Sequence, residues 1–514
     1  MKQDGYSSSA IAMASSKHPV AGSYYGQKGY TLPKKNLTTE QVEFIKKELF
    51  VRPHVHGAPV NNAAGFKVYR ESAGKYYVPR YFGNKFYGIP EDNKIPCGDD
   101  IDLKYHGQLR ENQHAPVNGY LDSVGTGGCG LLDLPCGFGK TSLSLYILAR
   151  LKKKTLVLVH KEFLFNQWIE RIQQFLPDAK IGKIQGPVVD IEDKDIVLGM
   201  IQSISMKDYP PSVFASFGLT ILDEVHHISS EVFSNSLFKI VTPYMLGLSA
   251  TMTRKDGTTR VFKMFLGDVV FKEKNKQDHP VVVRAVEYRT NDEEFNEIVL
   301  DYRGNPQYST MITKLCSYAR RSEFILRVLV DMLAENPDQQ IMILAHNKSL
   351  LHYLHDAIQS RNIASVGYYI GGMKEAALKE SEGKKVIIAT YSMAAEGLDI
   401  KSLTTLIMAT PKTDIEQSVG RILRVRHGSP VVVDIVDKHD LFQRQWMKRR
   451  AFYRKQQYKI IQTNSDVYTP DPTTWRVVDD GGGKAKSSRA KKDNNAFAGD
   501  NSANILQGTC FLKM

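Results

Sequence analysis

Residues 131–142 read Leu-Leu-Asp-Leu-Pro-Cys-Gly-Phe-Gly-Lys-Thr-Ser: an apolar run, a Gly-x-Gly-Lys-Thr turn, then the helical pattern of 143–151. Strand, glycine turn and helix form the context in which such a turn cradles phosphate. Gly137 and Gly139 let the backbone turn sharply and aim its N–H groups inward. The N-terminus of the following helix adds partial positive charge, which suits a triphosphate. Lys140 would reach the β- and γ-phosphates of ATP, and the Thr141 hydroxyl would ligate Mg²⁺. The strict form of the loop has a glycine where Leu134 stands. The bland alternative is a glycine-rich turn with a chance lysine, and the remainder of the chain weakens it.

Three further groups fit the same chemistry. Asp223-Glu224 follows the apolar run 219–222 and precedes His226-His227. The first carboxylate would hold Mg²⁺ through its water shell. The second would orient and polarise the attacking water as general base. His226 would sense the nucleotide from the inter-domain face, whereas His227 reads better as a packing residue. Arg421 and Arg424 lie at i and i+3 of an expected helix, with Gln417 a turn earlier, so two guanidinia share a face. They would approach a triphosphate from across a cleft and stabilise charge in phosphoryl transfer. A solvated basic face is the competing account. Gly420 argues against it, because a glycine inside a helix costs about 1 kcal/mol unless another element approaches closely. Upstream, the amide of Gln113 has the donor and acceptor needed to grip the edge of adenine.

These residues fall at the ends of apolar strands. The runs 155–159, 195–200, 219–222 and 244–251 alternate with helical patterns, which implies a parallel sheet covered on both faces. Ligands then collect at the carboxyl ends of the strands. A second alternating unit runs from about residue 320, through strands near 340–345, 385–389, 404–408 and 431–436, and has no phosphate loop of its own. The expected fold is α/β, with two tandem parallel-sheet domains, a small α+β N-terminal domain and disordered termini. The expected boundaries are 1–24 for a disordered arm, 25–96 for the small domain, 97–285 and 286–465 for the two sheets, and 466–514 for a disordered basic tail. In the small domain, 37–40 reads as a capping box with Thr38 or Thr39 as cap. Aromatic and basic residues interleave over 69–87; they could form a base-stacking surface, but a half-buried aromatic sheet fits the strand composition better. The stretch 444–455 reads as a basic helix with Trp446 and Phe452 turned inward or stacking.

Composition sets outer bounds. The chain has 514 residues, a formal net charge of +13 and a pI near 9.2, a balance common in proteins that meet nucleic acid. No apolar run approaches the ~20 residues of a membrane span, and the first residues lack a signal pattern. Five cysteines lack Cys-x-x-Cys spacing, which argues against a zinc site and fits a reducing, intracellular compartment.

Taken in order, 109–113, 135–141, 160–168, Gln202-Ser203, 223–226, 249–251, 389–399 and 417–424 resemble the motifs of superfamily 2 helicases of the DExH type. The missing glycine at Leu134 is common in such motors. Within the superfamily, the phosphate-loop sequence, His-Lys-Glu-Phe-Leu and Ser-Ala-Thr-Met-Thr-Arg-Lys-Asp-Gly look like the XPB and UvsW branch and resemble helicases of large eukaryotic DNA viruses, including the poxvirus transcript-release type. The resemblance implies two RecA-like domains with ATP and Mg²⁺ between them and nucleic acid across both. It implies that Ser249 and Thr251 couple the γ-phosphate to the nucleic-acid side. Thr390, Gly397 and Asp399 would link phosphate sensing to the strand, with Gly397 and Asp399 nearer the nucleotide. It favours DNA over RNA as the track, with RNA polymerase or other transcription proteins as candidate partners. For a viral protein it places the chain in host cytoplasm or virion. Arg254-Lys255-Asp256 aligns with an Arg-Glu-Asp element of XPB-type enzymes, with lysine in place of the central glutamate. That change leans toward a motor that tracks duplex without separating strands. An ATP-gated clamp without turnover is the third reading, and Lys140, Glu224, Arg421 and Arg424 together speak against it.

Overall fold

A computed structural model describes residues 19–53, 65–125, 127–135, 137–227, 230–250, 252, 256–273, 281–396, 400, 402–420, 422 and 430–481. Two eight-stranded sheets dominate it. The first has the order Val188–Asp190, Ile181–Gln185, Ile196–Met200, Thr155–Val159, Leu219–Leu222, Tyr244–Ser249, Cys129–Asp133, Val269–Lys272. Every pairing is parallel except that of the edge strand Val188–Asp190. Thr155–Val159, Leu219–Leu222 and Cys129–Asp133 are buried at every position. Apolar side chains on both faces require helices on both faces, and parallel pairing requires crossovers to supply them.

The second sheet repeats the scheme: Val366–Tyr369, Val386–Thr390, Gln340–Ala345, Leu403–Met408, Val431–Asp437, Val282–Tyr288, Lys459–Asn464, Arg476–Asp480. Only the last pairing is antiparallel. This is the tandem pair of parallel-sheet domains expected from the strand pattern, with the RecA-like form that the resemblance implies. Two boundaries differ from expectation. Val282–Tyr288 pairs along its whole length with Val431–Asp437, so the second domain begins before residue 286. At the other end, Tyr468 and Trp475 are buried against the second core, which carries the chain into the edge strand Arg476–Asp480, past the expected limit of 465. The remainder of the expected tail, 482–514, and residues 1–18 of the expected arm lie outside the described residues.

The N-terminal region builds a five-stranded sheet, with Tyr24–Gly26, Gly29–Pro33 and Lys75–Val78 as its central strands. Thr38 caps the helix Thr39–Glu48, its Oγ1 accepting from the Gln41 N–H at 3.2 Å while Gln41 Oε1 accepts from the Thr38 N–H at 3.0 Å. Of the two cap candidates the structure uses Thr38, with Gln41 as the reciprocal partner. The aromatic stretch departs further: Arg80–Tyr87 is a helix, and Gly83 lies so close to Tyr30 that a Cβ there would overlap the ring. Phe82, Phe86 and Tyr87 are buried, with the Phe82 and Phe86 ring centroids 4.8 Å apart. These rings form a core, which removes them as a base-stacking surface. The core runs on without a break into Phe233, Phe262 and Phe265 of the first domain.

One buried cation fastens this junction. Arg80, 6% exposed, donates to the carbonyls of Thr242 at 2.6 Å and Pro243 at 3.1 Å and to Cys129 Sγ at 3.2 Å. Alanine here would leave buried carbonyls without donors. Arg80→Ala is expected to lower folding stability by about 3 kcal/mol, read from the denaturant midpoint at unchanged slope. A loss under about 0.5 kcal/mol would show that the junction holds without it.

In the second domain the helix Asp440–Lys455 turns Trp446 inward, as one of the two expectations had it. Arg449 on the same helix is fully buried, paired with both oxygens of Asp434 at 2.7 and 2.9 Å.

Candidate active site

The loop between Cys129–Asp133 and the helix Lys140–Leu151 needs left-handed backbone twice: φ is +77° at Gly137 and +86° at Gly139. A Cβ on Gly139 would fall 2.5 Å from both Arg110 Nη2 and Gln113 Nε2. Those two side chains lie over the loop. Gln113 Nε2 donates to the carbonyls of Phe138 at 2.9 Å and Gly139 at 3.5 Å, and its Oε1 accepts from the Arg110 N–H at 2.9 Å. Arg110 Nη2 donates to the Phe138 and Gly137 carbonyls. Both amide hydrogens of Gln113 are thus used on the loop backbone, at 2% exposure. Gln113 sets the shape of the loop; the adenine grip expected of it would require those bonds to open.

The carboxyl end of the strand Leu219–Leu222 delivers the acids. Asp223 is buried, and one of its oxygens, Oδ2, accepts from the indole N–H of Trp168 at 2.9 Å. Burial, and then the neighbouring Glu224 charge, push its carboxyl above the usual range, with Lys140 and Trp168 pulling the other way. Glu224 has φ of +47°, a left-handed conformation that costs a non-glycine residue of order 1 kcal/mol and gathers at functional sites. Its Oε1 meets Lys140 Nζ at 2.7 Å, and its Oε2 lies 3.3 Å from His226 Nδ1. His226 Nδ1 also lies 2.7 Å from Ser249 Oγ, at the end of the strand Tyr244–Ser249. Loop lysine, strand-end carboxylate, histidine and serine are therefore linked in one chain across three adjacent strands. His160, at the end of the neighbouring strand Thr155–Val159, is buried; burial and then Lys161 hold its imidazole below the usual range.

In the second domain, the helix Glu416–Val419 carries Gln417, whose side chain is outside the described residues. Burial and Asp414 push the Glu416 carboxyl up, and Asp133 and Lys272 of the first domain act on it electrostatically. This helix therefore lies near the strand end that enters the phosphate loop. Arg421, Arg424, Gly397, Asp399, Thr251 and Lys255 lie outside the described residues. Thr390 closes the strand Val386–Thr390, with its hydroxyl 3.3 Å from Ser392 Oγ.

Among the described residues no group of three or more His, Cys, Asp or Glu is placed to hold a metal ion. The two residues expected at the ion, Asp223 and Thr141, would offer one carboxylate and one hydroxyl. That sparse oxygen set fits Mg²⁺, which keeps most of its waters and takes substrate phosphates as further ligands. Trp168 and Arg110 were not singled out by residue type. Trp168 is separated from Asp223 by 55 residues, so only the fold brings them together.

Comparison with known proteins identifies the family. The family described as "Type III restriction enzyme, res subunit" matches residues 106–254, and the helicase conserved C-terminal domain matches residues 325–428. A protein of Acanthamoeba polyphaga mimivirus, named a putative ATP-dependent RNA helicase, is 36% identical over 84% of this chain and 85% of its own length. A protein of African swine fever virus with the same description is 27% identical over 66% of this chain and 71% of its own. The crystal structure of T4 UvsW is matched at 18% identity and a TM-score of 0.30, over 71% of this chain and 78% of that one. No helix of the described residues is long and apolar enough to cross a membrane. A relative aligned along most of both chains, and two helicase domain matches that fall on the two sheets, make this chain a member of the superfamily 2 helicases: an ATP-hydrolysing enzyme that acts on nucleic acid and is similar to those of large DNA viruses.

Proposed function

We propose that the chain is a DNA translocase of a large DNA virus, with Lys140, Asp223 and Glu224 as the hydrolytic centre and Gln417, Arg421 and Arg424 completing it from the second domain. The observation that carries this reading is the contact of Lys140 with Glu224 at 2.7 Å beside the glycine loop. Glu224 neutralises Lys140 through this contact. An entering triphosphate would take Lys140 for its β- and γ-phosphates and leave Glu224 to orient water as general base. Asp223 and Thr141 would hold Mg²⁺, which when bound supplies charge neutralisation at the phosphates. Gly137 and Gly139 present backbone N–H groups to the phosphates. Gln113, once released from the loop, would reach the base. Gly397 and Asp399 would line the second-domain side of the nucleotide, and Arg421 and Arg424 would neutralise charge as the bond to the leaving group opens. Ser249 and His226, already joined to Glu224, are placed to pass the state of the γ-phosphate toward the nucleic-acid face, with Thr251 and Thr390 as its further contacts. The net charge of +13 supports a phosphate-backbone partner that is read without base specificity. Transcription proteins, RNA polymerase among them, are the proposed protein partners, in host cytoplasm or virion.

Lys255, where XPB-type enzymes carry glutamate, favours a second reading: duplex tracking without strand separation. The test is ATP turnover with single-stranded DNA, duplex DNA and RNA at one fixed salt concentration, together with displacement of a labelled strand. Stronger stimulation by DNA than by RNA is the expected result. Stimulation by RNA alone would overturn the choice of track. Stimulation by duplex without displacement would favour the second reading.

A further inference from the structure

The indole of Trp168 is 1% exposed, and a buried indole N–H requires an acceptor. Backbone carbonyls serve that purpose in most cores. Here the acceptor is Oδ2 of Asp223, 2.9 Å away and itself buried. The bond fixes one oxygen of the carboxylate and thereby the direction of the other, Oδ1. Trp168 sits on the helix Glu162–Phe175. Asn166 and Glu170, one turn apart and each two residues from Trp168, lie on the opposite side of that helix. Asn166 Nδ2 donates to Glu375 Oε2 at 2.8 Å, and Glu170 pairs with Lys379 at 2.8 Å, both on the second-domain helix Glu375–Glu382. One helix therefore grips the carboxylate with its inner face and touches the second domain with its outer face.

We propose that Trp168 is the positioning residue of Asp223: its indole N–H orients the carboxylate for Mg²⁺, and its helix ties that orientation to the placement of the second domain. The proposal rests on the reading of Asp223 as the metal-side carboxylate. Partners of this kind, which orient a ligand without touching the metal, typically change metal affinity 10- to 100-fold. Trp168→Phe keeps an aromatic ring in the core and deletes only the N–H and part of the bicycle.

The experiment is equilibrium binding of a fluorescent, non-hydrolysable ATP analogue by the full chain, across a Mg²⁺ titration and in EDTA. Trp168→Phe is expected to need about 10- to 100-fold more Mg²⁺ to reach tight binding, with binding in EDTA unchanged. A purely structural role would lower both affinities together, and that result, or a wild-type Mg²⁺ dependence, would overturn the proposal. Wild-type protein indifferent to Mg²⁺ would overturn the reading of Asp223 as well, so the two failures are distinguishable. If the variant does not fold, 5-fluorotryptophan protein supplies the second measurement. The other two tryptophans, Trp446 and Trp475, belong to the second domain, so Asp223→Asn marks the Trp168 fluorine resonance. That resonance is expected to move when Mg²⁺ joins the analogue-saturated wild type. A resonance that stays fixed would overturn the proposal.

Discussion

Lys140→Ala is expected to reduce ATP turnover by roughly two to three orders of magnitude, the cost of removing one preorganised charge from a phosphoryl-transfer site. The side chain stands at the first position of its helix, held by a loop whose two glycines adopt positive φ. Alanine removes the ammonium that meets Glu224 Oε1 at 2.7 Å. Nucleotide binding should weaken as well, because the same ammonium serves ground state and transition state. The check is phosphate release at saturating nucleic acid, with analogue affinity measured in parallel. Turnover within about 10-fold of wild type would mean that the glycine loop is not the phosphate site.

Glu224→Gln separates binding from chemistry. Glutamine keeps the length and hydrogen-bonding reach of the side chain but cannot take a proton from water, and general-base removal typically costs 10²- to 10⁴-fold in rate. The substitution also removes the 2.7 Å ion pair between Glu224 and Lys140. Its expected signature is therefore unlike that of Lys140→Ala: turnover falls by at least about 100-fold while analogue affinity stays equal to wild type or rises. Single-turnover hydrolysis and analogue titration on the same preparation read both quantities. Loss of rate and affinity together would assign Glu224 to holding Lys140 and not to proton transfer.

The parts of this site that were legible in the sequence are those fixed by local periodicity. Strands buried on both faces, such as Thr155–Val159 and Leu219–Leu222, announce themselves by unbroken apolar runs, and the polar residues that end them fall at the carboxyl edge of a parallel sheet. What composition obscured is equally physical. Arg80–Tyr87 is rich in aromatics that favour strands, yet it is a helix because Gly83 lets it pack against Tyr30. The expected boundary at 285 cuts the strand Val282–Tyr288, because its partner Val431–Asp437 lies far along the chain. Gln113 has the chemistry to read a base, and only the fold shows its amide spent on the loop carbonyls. The Trp168–Asp223 bond and the Arg80 anchor join residues 55 and more than 100 positions apart, beyond the reach of any local pattern.

In the proposed function the glycine loop, Lys140 and the Asp223-Glu224 pair form one hydrolytic centre driven by nucleic acid. Steady-state ATP hydrolysis by the full chain, with and without DNA, in wild type and Glu224→Gln side by side, tests it most directly. DNA should stimulate the wild type, and the Glu224→Gln protein should bind the ATP analogue yet hydrolyse ATP no faster than the background with DNA present. Equal DNA-stimulated turnover in both proteins would contradict the account.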